Sequence, residues 1–447
     1  MIELAVRPVA ALRAGRDLAL SLLRDQRGGT AVVLAVSMTG ILGLAGLATE
    51  GADWYKTKRA MQAAADAAAY SAVVGQSAGG GITTEARSVA AKYNFVNGTG
   101  GVTVTVNQPP KSGSYTTNAT GVEVIVSQPQ SLAIAGLFLK SAPTIAARAV
   151  AITSGTGGNC IQSLDKSSGI GINLLGSASI NASGCSVYDN ATGAGSLLVS
   201  TAASVTADTI STSGTIANLG TAKPTKAPNP VSNALAAADA YANVAMPTPS
   251  SSGCSFNGYT APPQSNPLLP VPAQLSPGTY CNGMVFPSGS MVNLKAGTYY
   301  VEGGSFHVEN GATVSGDSAG VTIVLTNTPG AANYASLKVD AGSSLQIDAP
   351  TTGSAKGVAI FGDRNAPAGQ EADLGGSAAG DGGATVIING AVYLPTQQLY
   401  YGGASSNANT CTALVAYDIR FNPSSVLRTT CTASQIPTTG PIAKLVE

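Results

Sequence analysis

Six cysteines, one histidine and one acidic loop hold most of the reactive side chains in this 447-residue chain. Cys160, Cys185, Cys254, Cys281, Cys411 and Cys431 form an even set with no Cys-x-x-Cys pair, which points to disulfides in an oxidising compartment and away from zinc or redox chemistry. Six cysteines allow fifteen connectivities. Sequential pairing is the simplest, because separations of 25, 27 and 20 residues each match about one turn of a repeat. The acidic loop carries Asp363, Glu371, Asp373 and Asp381, with Arg364 beside the first. Two carboxylates about 5–9.5 Å apart on one face would suit glycoside hydrolysis. The same loop could hold an ion or a glycan, or simply be solvated, and the last is the usual fate of Gly-rich acidic loops. His307 stands alone, so no multi-histidine metal site exists and any Ser-His-Asp arrangement would rest on it. It reads as an outward strand residue without a partner. Tyr299-Tyr300 and Tyr400-Tyr401 could stack on sugars, with one ring of each pair expected in the core.

Composition narrows the classes. Charged residues make up 10% of the chain, where about 25% is ordinary, and 54 residues are Gly. A formal net charge of zero gives no electrostatic footprint for nucleic acid. No catalytic set, cofactor or metal is predicted, and the chain reads as a structural or binding protein.

The elements that must position these residues begin with an uncharged run of 22 residues, Gly28 to Thr49. At 1.5 Å per residue it reaches about 33 Å, enough for a hydrocarbon core. Arg7, Arg13, Arg16, Arg24 and Arg27 outnumber Glu3, Asp17 and Asp25, which predicts a cytoplasmic N-terminus and an exported body. A cleaved signal peptide is the alternative, although its apolar core should be only 7–15 residues. Gly40, Gly43 and Gly46 share one face. The Ala-rich stretch that follows continues the helix to residue 78, with Trp54 and Tyr55 at the interface. Its face around Ala64, Ala68 and Ala72 is too thin to form a core without a partner.

The string from Asp25 to Val73 resembles the N-terminal segment of Flp pilus-assembly TadG-like (TadE/G-like) proteins. The matching features are Gly28 after Arg27, the acidic pair Glu50 and Asp53, and Gln62-x-Ala-Ala-Asp66-Ala-Ala-Ala. The resemblance covers roughly 50 residues and implies a bacterial inner-membrane protein of the tight-adherence pilus machinery, with other pilus-assembly proteins as partners. Prepilin cleavage would need Glu at the fifth position after the glycine. Val33 and Leu34 stand there instead. Some such proteins carry an Asp-x-Ser-x-Ser metal site; Asp165-Lys166-Ser167-Ser168-Gly169 lacks its last Ser, so no metal is assigned.

The predicted fold is mainly β. A leader (1–27), a transmembrane helix (28–49) and an extended helix (50–78) precede a small α/β, pilin-like domain (79–153). That domain should hold a helix over Thr84–Asn94, strands at 102–107, 122–127 and 144–152, and a second helix at 131–139. From 154 to 436, short alternating runs cornered by Gly, Ser and Asn predict a right-handed parallel β-helix of some ten coils. Gly297-Thr298-Tyr299, Val321-Thr322-Ile323 and Ala349-Pro350-Thr351-Thr352-Gly353 resemble β-helical regions attached to TadG-like anchors. A β-sandwich is the competing fold. Residues 221–273, with ten of the 24 prolines, read as an insertion along the solenoid carrying a helix at 231–246, and 437–447 as a tail. The function expected is a membrane-anchored, non-catalytic accessory of pilus assembly or adhesion. A glycan-binding adhesin or a polysaccharide-active enzyme is the alternative.

Overall fold

The computed structural model describes residues 29–77, 81–137, 139–154, 158–226, 229–249, 253–264, 271–328, 332–376, 383–404, 410–432 and 442–447. The leader, Gly28 and Asp381 lie outside this set, as do the side chains of residues 29–32 and 35. Among the described residues strands account for 42% and helices for 15%, so the protein is mainly β. Two compact units emerge: residues 1–60 with 127–146, and residues 61–126 with 147–447.

Helix α1 (Gly29–Ser77) runs 49 residues without interruption, as a stretch with no Pro and many Ala should. Among the described residues no helix is long and apolar enough to cross a membrane; the uncharged run Gly28–Thr49 lies partly outside them. In the first unit the segment between β2 (Val122–Pro129) and β3 (Thr144–Ser154) is closed by Gln130 N–H donating to Pro143 O at 2.9 Å. The helix expected over 131–139 is only a single 3-10 turn, Ala135–Leu137. Its early N–H groups go to a side chain instead: Ala133 and Ala135 both donate to Glu50, at 2.5 and 2.6 Å.

In the second unit, α2 (Ile82–Lys92) buries Ala86, Val89 and Ala90 on one face. Strands β1 (Thr103–Asn107), β2 and β3 form a four-stranded sheet completed by Ile442–Leu445, antiparallel to β3. The expected tail is therefore partly a strand, a pairing across the whole solenoid that periodicity cannot show. Glu123, fully buried on β2, receives Arg148 Nε at 2.6 Å, Ser112 Oγ at 2.5 Å and Asn107 Nδ2 at 2.7 Å, while Arg148 also reaches Glu447. Burial pushes the Glu123 carboxyl up, but these donors and the Lys111 N–H outweigh it and hold it at about 2.

The remaining strands wind in coils that stack in parallel. One buried file shows the register: Tyr299, Ile323, Ile360, Val392, Leu414, Ile161, Val187 and Ile210 each sit directly on the next. All are at most 1% exposed. This parallel pairing sets aside the β-sandwich, whose sheets are antiparallel. Stacking follows an order different from the chain. The coil at Thr412–Phe421 and Val426–Thr430 pairs with Asn159–Ser163, Ile172–Leu174 and Ser179–Ser183. The solenoid thus begins in the middle of its own stack. It winds to one end at Ile210–Thr212, crosses to the other end near Phe256–Thr260, and winds back to meet its start.

The crossing is made by a strap, residues 225–255. Val231 pairs beside Ser211, Ala237 bonds Asn190, Asp239 and Tyr241 meet Tyr393 and Arg364, and Tyr300 OH donates to Thr248 O. The helix expected at 231–246 is absent; the segment is irregular and extended. Length explains why. From Val231 to Val244 the strap passes five coils, about 24 Å at 4.8 Å per coil, whereas thirteen helical steps reach only about 20 Å. The insertion is also shorter than 221–273, since Thr221–Pro224, Phe256–Thr260 and Ala273–Leu275 all belong to the stack.

Arg364 is the strap's clamp. Its guanidinium donates to Tyr241 O at 2.6 Å, Val244 O at 2.9 Å and Tyr393 Oη at 3.1 Å, and lies over the rings of Phe361 and Tyr393. Arg364→Ala should lower stability by about 2–3 kcal/mol, since bonds from a charged donor are the stronger kind, and should speed proteolytic cleavage within 241–249, read by limited proteolysis.

The Glu123 network gives a signed pH effect. A carboxyl held at about 2 against an ordinary 4.5 contributes stability in full above pH 4.5, and that contribution is lost as pH falls toward 2. The difference in melting temperature between the native protein and Glu123→Gln should therefore shrink as pH is lowered through this window.

Candidate functional site

The chemistry of this chain converges on the seat of α1. From Ala64 the helix enters an enclosed environment. Ala64, Ala65, Asp66, Ala67, Ala68, Ala69, Tyr70, Ser71, Ala72 and Val73 are all buried in succession. A helix covered on every face must be thin if its neighbours are to approach, and Ala supplies thinness without loss of helix propensity. The partner that the Ala-rich face requires is the rest of the second unit. Ser71 Oγ donates to Glu85 on α2 at 2.6 Å and accepts the Leu235 N–H at 3.1 Å. Tyr93 OH donates to Ser232 O at 2.9 Å. Tyr188, from the coil below, donates to Leu235 O. Burial raises the Tyr70 hydroxyl pKa, opposed by bonds with Ser211 and Thr209. Helix, strap and end coil are thus tied together by hydrogen bonds.

Gln62 and Asp66 lie four apart on one helix face. Gln62 Nε2 donates to Asp66 Oδ1 at 2.8 Å and to Arg148 O at 2.9 Å, tying the helix to β3. Burial raises the Asp66 pKa, with Gln62 and Asn229 pulling it back. Of the other expected anchor residues, Glu50 holds the 131–140 loop, Asp53 is exposed, and Gly28 falls outside the described residues. Gly46 is where that loop touches the helix. A Cβ there would stand 1.9 Å from Ile134 Cδ1, whereas Gly40 and Gly43 have nothing within 4 Å.

Residues 28–77 match the model of the putative Flp pilus-assembly TadE/G-like family. The matched segment ends where the described part of α1 ends, so it covers both the exposed apolar stretch and the enclosed Ala-rich one. No curated protein and no solved structure matches the chain. Beyond this family segment, the site must be read from its own geometry.

The cysteines form three bridges, Cys160–Cys185, Cys254–Cys281 and Cys411–Cys431. The first joins neighbouring coils, the second ties the strap to Gly278–Phe286, the strand stacked on the end strand, and the third closes the coil that meets the solenoid's start. Cys160, Cys185 and Cys431 bring their sulfurs within 4.8 Å of one another. All three are spent in disulfides, so no thiolate is left for a metal.

Among the described residues Asp363, Glu371 and Asp373 are not gathered into one cluster. Asp363 is buried and accepts Thr326 Oγ1 at 2.7 Å and Asn365 N–H at 2.9 Å. Asp373 caps Gly376 N–H at 2.9 Å, and Glu371 takes Tyr400 OH at 3.4 Å. Asp165 accepts Ser167 N–H and Oγ–H within its own turn. His307 does have a partner, contrary to expectation: Nε2 lies 3.0 Å from Asp340 Oδ2. It belongs to a surface file in which His307, Lys338, Asp373, Tyr400 and Arg420 follow one another coil by coil. Tyr299 and Tyr401 are buried while Tyr300 and Tyr400 are not, so one ring of each pair is core. A cavity of about 320 Å³ lies under the strap, lined among others by Lys166, Asn190, Asp239 and Arg364; the last three already bond the strap or its neighbours.

The enclosed helix should not tolerate bulk. Ala68→Leu adds methylenes where no space exists and is expected to cost about 1–3 kcal/mol, seen as a lower melting temperature. Ala63→Leu, one turn earlier on an exposed position, should leave it unchanged.

Proposed function

We propose that this chain is a single-pass, membrane-anchored, non-catalytic accessory protein of Flp pilus assembly in a bacterial inner membrane. In this reading the leader 1–27 is cytoplasmic, residues 28–49 cross the bilayer, and a small α/β domain and a right-handed parallel β-helix lie in the periplasm or at the cell surface. The observation that carries it is the change of environment along one helix. Val33, Leu34, Val36, Met38, Ile41, Leu42 and Leu44 are each 57–71% exposed and fall on nearly every face. A helix apolar all round needs an apolar surrounding, and among the described residues the protein offers none there. From Ala64 to Val73 the same helix is enclosed by protein. The family match over residues 28–77 supports a place in pilus assembly. The three disulfides agree with an oxidising compartment. The non-catalytic reading is supported by Asp363 and Asp373, whose oxygens serve as caps within their own corners.

Full-length protein in bacterial membranes should resist alkaline extraction, with the body beyond residue 50 digested by protease only from the periplasmic side and the leader only from the cytoplasmic side. Ile41→Asp with Leu44→Asp, at about 2.5–3.5 kcal/mol each for insertion, should shift it to the extractable fraction. Co-purification with Flp pilus-assembly proteins is the matching partner test. Extraction of the unaltered protein, or normal Flp pili in its absence, would sink the reading.

A further inference from the structure

We infer that the loop 131–140 is a second membrane-contact element, resting on the lipid interface beside the transmembrane helix. The inference builds on the reading above that residues 28–49 cross a bilayer.

The loop is apolar where solvent would be expected to favour polar residues. In sequence the loop reads Ser131-Leu-Ala-Ile-Ala-Gly-Leu-Phe-Leu-Lys140, and of its described residues Leu137 is 80% exposed and Leu139 43%. Exposed Leu on a tight turn has no use in water. Its position is fixed within the first unit by two contacts. Ile134 fills the notch left by Gly46, and Glu50 accepts the N–H groups of Ala133 and Ala135. Both contacts fall on the last turn of the uncharged run and the first charge after it, the level at which the span would leave the hydrocarbon. Glu50 is thereby bonded where a bare carboxylate would be costly. The flank carries the residues that mark an interface. Tyr55 lies under Arg59, 5.7 Å from ring centroid to guanidinium, Trp54 adjoins it, and Lys140 ends the loop. Continuity with the apolar helix, a fixed depth and this flank all suit one occupant, a lipid surface.

The chain has one Trp, at position 54, which permits a direct test. In a Trp54→Phe background, Leu137→Trp and, separately, Val36→Trp are placed in full-length protein. The proteins are reconstituted in phosphatidylcholine–phosphatidylglycerol vesicles with brominated acyl chains. The expected result is loss of most Trp emission for both. Leu137→Trp should be quenched better by bromines near the headgroups than by bromines near the chain ends, with a blue-shifted spectrum, and adding Gly46→Leu should weaken its quenching. Quenching at Val36→Trp without any at Leu137→Trp overturns this inference and leaves the span intact. No quenching at either position removes the span and the inference together. A Leu137→Trp that is shielded from aqueous quenchers but untouched by bromolipid identifies a protein partner or a second copy, and also overturns it.

Discussion

The pairing of Leu414 on Ile161 is the constraint from which the rest of the second unit follows. It makes the coil that ends the solenoid in sequence the neighbour of the coil that begins it. A chain wound in that order must carry its backbone from one end of the stack to the other, and the strap is that crossing. The strap in turn supplies Ser232 and Leu235 to the seat of α1, so the helix rests on a surface that exists only because the coils close on themselves. Two of the three disulfides gather at the same seam, where local sequence offers no continuity to hold the coils together.

The parts legible in the sequence are those governed by local pattern. Alternation marked β1 to β3 to within two or three residues, Ala content marked α1, and Gly-Thr-Tyr recurrence marked the coils. One-coil spacing also led to the cysteine pairing that the structure has. The parts that were hidden are pairings between distant residues. Nothing near Ile442 signals an edge of β3. Nothing near His307 signals Asp340, since the ladder that joins them runs across coils of unequal length. The strap misled for a related reason: VSNALAAADAYANVAM has the composition of a helix, and its conformation is set by the distance it must cover. The candidate site divides likewise. Gln62 and Asp66 were legible as members of the family-like string, whereas their mutual bond and that of Glu50 to a loop over eighty residues away were not.

Small residues serve opposite ends in one helix. Around Ala64 to Ala72 they let protein close on all sides, while at Gly46 a single missing side chain admits one isoleucine. Charge is handled with similar economy. Buried acids such as Glu123, Asp189 and Asp363 each meet several donors, so the charge that does go inside is hydrogen-bonded there.

The strand Ile442–Leu445 is separated from β3 in sequence by the whole solenoid, yet pairs with it. Without those residues the small sheet is one strand short and Arg148 lacks Glu447. A break anywhere in the intervening solenoid segment is therefore felt in the small sheet, which is stapled shut from beyond it.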